Sequence, residues 1–370
     1  MSALFSPFTL RGITVPNRIV VAPMCQYSAE NGCATAWHMM HLGNLASSGA
    51  GILFIEATAV EADGRITPRC LGLWDDASEA ALAPVVAAIR RYSRVRLVIQ
   101  LAHAGRKASS EVPWRGGQLI PVAQGGWTPS GPSALEHKQG EPPPHALDSA
   151  GLRRVRDAFV AAAKRAERLG LDGIEVHSAH GYLLHQFLSP IANRRTDQYG
   201  GSLENRMRFP LEVFAAVRAA FPPDKPVGLK VSATDWLENG WDIEQTIAYA
   251  HQLKLRGVDW IDVSSGGISP LQKIALGPGY QVPFAQAVKQ ATGVNTMAVG
   301  LITGARQAEE IVASGQADLV ALARGMLYDP RWAWHAAAEL GASVDVSPQY
   351  WRAAPQGQSA LFRDTAFGMR

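Results

Sequence analysis

The sequence predicts an α/β fold: a single (β/α)8 TIM barrel with long loops after strands three and four and a C-terminal extension. Two observations predict it. Short apolar, β-branched runs recur along the chain, with helix-length segments between most of them. Eight such units in one chain close into a barrel more often than they open into a sheet. In addition, the first strand is followed by Met24-Cys25-Gln26-Tyr27. A doubly wound sheet would need a phosphate-binding glycine fingerprint there.

The predicted strands are Arg18–Pro23, Gly51–Ala57, Arg96–Leu101, Gly173–His177, Pro226–Ser232, Val258–Ser264, Asn295–Gly300 and Asp318–Arg324. A nearly continuous apolar run such as Gly51-Ile-Leu-Phe-Ile-Glu-Ala57 is how a parallel strand buried on both faces reads. Between strands, Leu152, Val155, Phe159, Ala162, Ala166 and Leu169 recur at helical spacing. Asp148 is placed to cap that helix and Gly170 to end it. Glu204–Phe221, Asp242–Arg256 and Ala305–Ser314 read the same way, with Asp242 as a cap and Gly257 and Gly315 as stops. The connections 102–147 and 178–202 are long, and long ordered loops at one barrel end are usually functional. Residues 1–340 are expected to form the barrel. Residues 341–370 are expected to form an extension whose Tyr350, Trp351 and Phe367 pack onto something, a partner subunit being one candidate.

Composition narrows the function classes. The chain has 370 residues, 47% hydrophobic and 18% charged, which fits a large core and not disorder. The net charge is +3 with scattered Lys and Arg, so no nucleic-acid footprint is expected. Cys25, Cys33 and Cys70 are too few, and odd in number, for a disulfide framework; a reducing compartment is expected. Met1–Pro16 lacks the pattern of a signal peptide, and no apolar run approaches the roughly 20 residues of a membrane helix. The expected location is the cytoplasm, with no membrane partner.

Chemistry in a barrel gathers at the C-terminal strand ends. Those ends carry Pro23-Met24-Cys25 with Tyr27, Ala57, Gln100 with His103, His177 with His180 and Tyr182, Lys230, Ser264-Ser265-Gly266-Gly267, Gly300, and Arg324. Gly266, Gly267 and Gly300 either make turns or let backbone N–H groups approach an anion. Arg324 is a surface charge or the anchor of a phosphate. Gln100 can donate and accept, as the pyrimidine edge of a flavin requires, and Lys230 can set positive charge beside it. His177 and His180 fit three readings: a zinc pair with Glu56 or Glu175, a satisfied core pair, or two donors that grip a substrate carbonyl. No metal is expected. Tyr182 is a proton donor, its phenol holding its proton at neutral pH, or a buried structural tyrosine. Cys25 is a small core side chain or a thiol that tunes a flavin.

The run His177-x-x-His180-Gly-Tyr182-Leu-Leu-His-Gln-Phe-Leu-Ser-Pro190, then Asn193-x-Arg195-x-Asp197-x-Tyr199-Gly-Gly-Ser202-x-Glu204-Asn-Arg206, resembles the old yellow enzymes. So does Gln100-Leu-Ala-His103-Ala-Gly-Arg106, and Pro23-Met24-Cys25-Gln26-Tyr27 resembles their thermophilic-like bacterial subgroup. The resemblance spans about Leu4 to Arg352. It implies non-covalent FMN held by Ala22, Pro23, Met24, Cys25, Ala57, Gln100, His177, Lys230, Ala323 and Arg324. NADPH or NADH is the implied hydride donor, and an activated alkene the implied substrate. His177 and His180 match the carbonyl-binding pair, Tyr182 the proton donor, and Tyr27 a substrate contact. Arg352, with Trp351 beside it, matches a residue that the subgroup inserts into a neighbouring subunit's site, which implies a homodimer or homotetramer. Two departures stand out: Lys230 replaces a common Arg, losing its bidentate fork, and Ala323 replaces a common Gly. The competing readings are a metal-dependent hydrolase, a different FMN barrel, and a flavin carrier without catalysis.

Overall fold

The computed structural model describes residues 2–366, so Phe367 lies outside the described residues. In chain order the strands are β1 (Phe8–Leu10), β2 (Ile13–Val15), β3 (Ile19–Val21), β4 (Ile52–Ala59), β5 (Arg96–Ala102), β6 (Ser130–Gly131), β7 (His145–Ala146), β8 (Gly173–Ser178), β9 (Val227–Ser232), β10 (Ile261–Ser264), β11 (Thr296–Val299) and β12 (Leu319–Leu322). The helices are α1 (Ala36–Ala46), α2 (Asp76–Tyr92), α3 (Ser149–Arg168), α4 (Leu183–Leu188), α5 (Leu203–Ala220), α6 (Ile243–Leu255), α7 (Val282–Thr292), α8 (Ala305–Ala313), α9 (Arg324–Tyr328) and α10 (Trp332–Glu339).

Eight strands close in the order β3-β4-β5-β8-β9-β10-β11-β12, and every pairing between them is parallel. These are the eight strands read from the sequence, most trimmed at one or both ends. The caps are also as expected. Asp148 accepts from the Gly151 N–H at 2.7 Å, and Asp242 from the Gln245 N–H at 2.9 Å. Gly170, Gly257 and Gly315 sit at φ of 74°, 78° and 75°, the left-handed region in which a side chain would be strained.

Apolar side chains form two cores. The outer one packs helices onto strands and takes in Val155, Phe159, Phe214 and Val263. The inner one fills the barrel with Val20, Ile52, Phe54, Val98, Trp260, Met297 and Leu319. The hairpin β1–β2, too short to read from sequence, adds Leu10, Ile13 and Val15 to this inner core. The Arg11 side chain binds Asp259 at 2.8 Å and the Gly12 N–H donates to the Asp224 oxygen, both just ahead of strands β10 and β9. The hairpin therefore plugs the N-terminal mouth and leaves the C-terminal face for ligands.

The extension packs onto its own chain. Trp334 on α10 meets Tyr350 and Phe362 with ring centroids 5.8 and 5.0 Å apart. Val344, Leu361 and Phe362 belong to the outer core.

Candidate active site

Each barrel strand delivers its last side chains to the C-terminal face, and local devices aim them. Between β4 and β5 the register shifts at Ile55/Ala57, which makes Glu56 the extra residue of a bulge. The Glu56 carboxylate is thereby turned to accept the Gln26 N–H at 2.9 Å, with His38 Nε2 3.3 Å away. This pins the half-buried segment Pro23–Tyr27 across the end of β3. Tyr27, in the left-handed region at φ 50°, packs edge-on against Trp114 of the long loop at 5.7 Å. Burial, with Cys70 and Glu56 nearby, pushes the Cys25 thiol well up, so it stays protonated and is no thiolate nucleophile.

The turn after β8 carries the main cluster. The His177 ring lies 5.3 Å from that of His180 and 5.0 Å from that of Tyr182, both edge-on. His177 Nδ1 accepts the Ala179 N–H at 3.2 Å, so its proton sits on Nε2, ready to donate. His180 has φ 57°, a conformation that costs a non-glycine residue about 1–3 kcal/mol. It is held there by its N–H to Ser232 Oγ at 2.9 Å, and its Nε2 lies 2.7 Å from Ser264 Oγ. Beneath the turn, His185 Nδ1 accepts the Gly181 N–H at 2.8 Å, while its Nε2 lies 2.9 Å from Asp235. Burial first, and Lys230 with neighbouring imidazoles after it, holds both His177 and His180 well below the ordinary histidine range. They are neutral donors at neutral pH. Burial pushes the Tyr182 phenol well up, so it keeps its proton.

Lys107 was not singled out by the sequence reading. Its Nζ donates to the carbonyls of His180 (2.8 Å) and Gly267 (3.1 Å) and sits 5.0 Å from the Tyr182 ring centroid. Burial, with Arg106 and Lys138 nearby, lowers it to about 8. Its only sequence signal was a position just past the Gln100–Arg106 motif. His103, by contrast, ties two loops together through Glu61 at 2.9 Å.

Gln100 and Lys230 stand on the inner wall. Gln100 Nε2 donates to Glu175 at 2.8 Å, and Lys230 Nζ to Asp262 at 2.6 Å. Burial alone would depress the Lys230 ammonium; Asp262 and Glu175 outweigh it and hold it above its ordinary value. Ala57 and Tyr182 line one small cavity together with Cys70 and Ala102. Arg324 opens α9 after β12, exposed and without an ion pair to any described residue. Gly300 takes φ 115°, and a Cβ there would meet Gln281 at 2.6 Å.

One expectation is corrected. Gly266 and Gly267 do not offer free N–H groups to an anion: the first donates to the Thr234 oxygen and the second to Gln272 at 2.6 Å. Gly267 is a glycine because the His180–Gly181 turn packs against it, where a Cβ would lie 2.4 Å from the His180 backbone; a Cβ on Gly266 would meet the Gln272 side chain at 2.6 Å. Trp351 and Arg352 do not join this site within the chain. Trp351 lines a groove with Pro16, Gly49, Ala50 and Val95, all just ahead of strand starts, at the opposite end of the barrel. Both carboxylates considered for zinc are engaged elsewhere, Glu56 as above and Glu175 with Gln100 and Trp260. Among the described residues no group of three or more His, Cys, Asp or Glu could hold a metal.

The residues present fit FMN. The exposed Arg324 guanidinium at the end of β12 suits a phosphate, and the Gln100 carbonyl oxygen, without a hydrogen bond among the described residues, suits a flavin edge. Residues 3–342 match the model of the NADH:flavin oxidoreductase / NADH oxidase family. The chain is 44% identical to an NADPH dehydrogenase of a Geobacillus species, over 94% of this chain and 98% of that one. It is also 44% identical to an NADH:flavin oxidoreductase of Gibberella zeae, over 94% and 88%. The solved structure of a morphinone reductase superposes with a TM-score of 0.75 at 29% identity, covering 99% and 94%. This chain therefore belongs to the NADH:flavin oxidoreductases of the old yellow enzyme family, and it is an FMN-dependent oxidoreductase that takes hydride from a nicotinamide cofactor.

Proposed function

We propose that the enzyme reduces the activated C=C bond of α,β-unsaturated carbonyl compounds or similar electron-poor alkenes. The observation that carries this reading is the packing of His177, His180 and Tyr182 into one cluster of two neutral imidazoles and one protonated phenol. The chemistry that bound FMN supplies is hydride transfer. It would be held by Ala22–Cys25, Ala57, Gln100, Lys230, Gly300, Ala323 and Arg324. His177 and His180 bind the carbonyl oxygen of the alkene and stabilise the negative charge that grows there as the β-carbon accepts hydride. Neutral imidazoles suit this task because they donate without transferring a whole charge in the ground state.

Tyr182 Oη then gives its proton to the α-carbon from the face opposite the hydride, so addition is trans. Lys107 beside the ring favours the phenolate that forms. NAD(P)H and the alkene use the same place in turn, the usual basis of ping-pong kinetics. Tyr27 contacts substrate and Cys25 lies against the flavin as a neutral thiol. Trp351 and Arg352, at the far end of their own barrel, serve a neighbouring subunit's site in a homodimer or homotetramer. Three free cysteines fit a cytoplasmic location; no helix among the described residues is long and apolar enough to cross a membrane.

The test is an anaerobic absorption experiment on the purified holoenzyme. NADPH should bleach the flavin bands and 2-cyclohexenone should restore them. Bleaching without recovery across a panel of activated alkenes would remove the alkene reading while leaving the flavin one. In Tyr182→Phe, bleaching should proceed at the normal rate and recovery should slow by about 10²–10⁴-fold, the usual contribution of one proton donor. An unchanged recovery rate takes Tyr182 out of the reaction.

A further inference from the structure

The inner wall carries a buried carboxylate that the proposed mechanism does not use. Glu175 on β8 is fully buried and accepts two hydrogen bonds, from Gln100 Nε2 at 2.8 Å and from Trp260 Nε1 at 3.0 Å. The arrangement is built for this contact. Gly228, the register partner of Glu175 on β9, has no side chain because the Trp260 indole fills the space; a Cβ there would lie 1.9 Å from the ring. An ionised carboxylate only accepts, so it fixes the Gln100 amide with Nε2 inward and leaves Oε1 for a ligand. A protonated carboxyl keeps one accepting oxygen, and Trp260 Nε1, which can only donate, takes Oε2; the proton then falls on the oxygen that faces Gln100, where the acceptor that Gln100 can offer is its own Oε1, which would turn Nε2 outward instead.

We infer that Glu175 is a positioning residue for the cofactor's pyrimidine edge, and that one proton on Glu175 decides whether Gln100 presents an acceptor or a donor there. The inference rests on the assignment of Gln100 to FMN. The charged groups that face Glu175 are Asp262 on β10 and Lys230 on β9; His177 lies two residues further along its own strand, and β5 contributes the uncharged amide of Gln100. Two carboxylates share one ammonium in a wall closed to solvent. Burial first, then Asp262, raises Glu175 to about 7, against the opposing pull of Lys230 and the two hydrogen bonds. The switch therefore falls within the working range of pH.

The N3–H of a flavin pyrimidine needs an acceptor, and 3-methyl-FMN lacks that hydrogen. With Glu175 ionised, Gln100 offers an acceptor and the methyl analogue is penalised. With Glu175 protonated, Gln100 offers a donor and much of the penalty disappears. The experiment titrates apoprotein with FMN and with 3-methyl-FMN by flavin fluorescence from about pH 5.5 to 8.5. In the wild type, the ratio of the two dissociation constants should rise about tenfold with pH through a single-proton transition, the worth of one hydrogen bond. In Glu175→Gln the ratio should be flat. In Trp260→Phe, which removes a donor that favours the anion, the transition should move to higher pH. Should Glu175→Gln fail to fold, Trp260→Phe carries the test alone. A pH-independent ratio in the wild type, the same transition in Glu175→Gln, or an unmoved transition in Trp260→Phe overturns the inference. Failure of the wild type to bind FMN at any pH would instead overturn the placement of the cofactor.

Discussion

His177→Ala and His180→Ala should each lower the rate of enone reduction by about 10²–10³-fold while the protein stays yellow. The size follows from removing one donor aimed at a developing oxyanion, on the order of 3 kcal/mol of barrier. The two substitutions should differ in detail. His177 fixes its own tautomer through the Ala179 N–H, so its loss removes a ready donor and little else. His180 is also tied to Ser232 and Ser264, and its strained backbone is the start of the turn that carries Tyr182. His180→Ala should therefore disturb proton delivery as well, and its defect should persist with alkenes activated by a nitro group. Rates of the two half-reactions, measured separately by stopped flow, check this. Wild-type reoxidation by cyclohexenone in both variants would take the pair out of substrate binding.

Lys230→Met is expected to cost about 3–5 kcal/mol of folding stability, the usual result of breaking a buried ion pair by removing one partner. Lys230 and Asp262 are 2.6 Å apart, with side chains 5% and 1% exposed, and Glu175 stands close by. Without the ammonium, two carboxylates remain in a wall that water does not reach. Glu175 would be pushed further up than it already is. A group whose folded pKa is raised destabilises the fold once pH exceeds its unfolded value. The deficit of Lys230→Met should thus grow as pH rises from about 4.5 and shrink on acidification. Urea denaturation at several pH values measures it. The double variant Lys230→Met/Asp262→Asn should regain a large part of the loss. A single variant as stable as the wild type at pH 8 would mean that the pair is not buried in solution.

Strand and helix identity was legible because it is written locally. Buried parallel strands need unbroken apolar runs, amphipathic helices need apolar residues every three or four positions, and Asp148, Gly170, Asp242 and Gly257 mark ends by their own chemistry. The cluster His177, His180 and Tyr182 was legible because it sits on one short turn. The hairpin that plugs the barrel was not, since strands of three residues have no period to read. At Gly266 and Gly267 the sequence left a turn and an anion contact open, because a glycine shows only that something comes close; whether that is a ligand, the Gln272 side chain or the His180 backbone depends on where other residues lie.

Order along the chain thus sufficed for the barrel, the identity of its strand ends and the side chains proposed to react. Closure of the barrel did the rest. It set Gln100 against Glu175 and Glu175 against Trp260 across gaps of 75 and 85 residues, and placed Lys107 under Tyr182 from a different loop. It also carried Trp351 and Arg352 to the end remote from their own active site. The physical reason is that hydrogen bonds, buried charges and close approaches depend on distance in space. Residue type states what a side chain can do, and only the folded wall determines which partner is within reach.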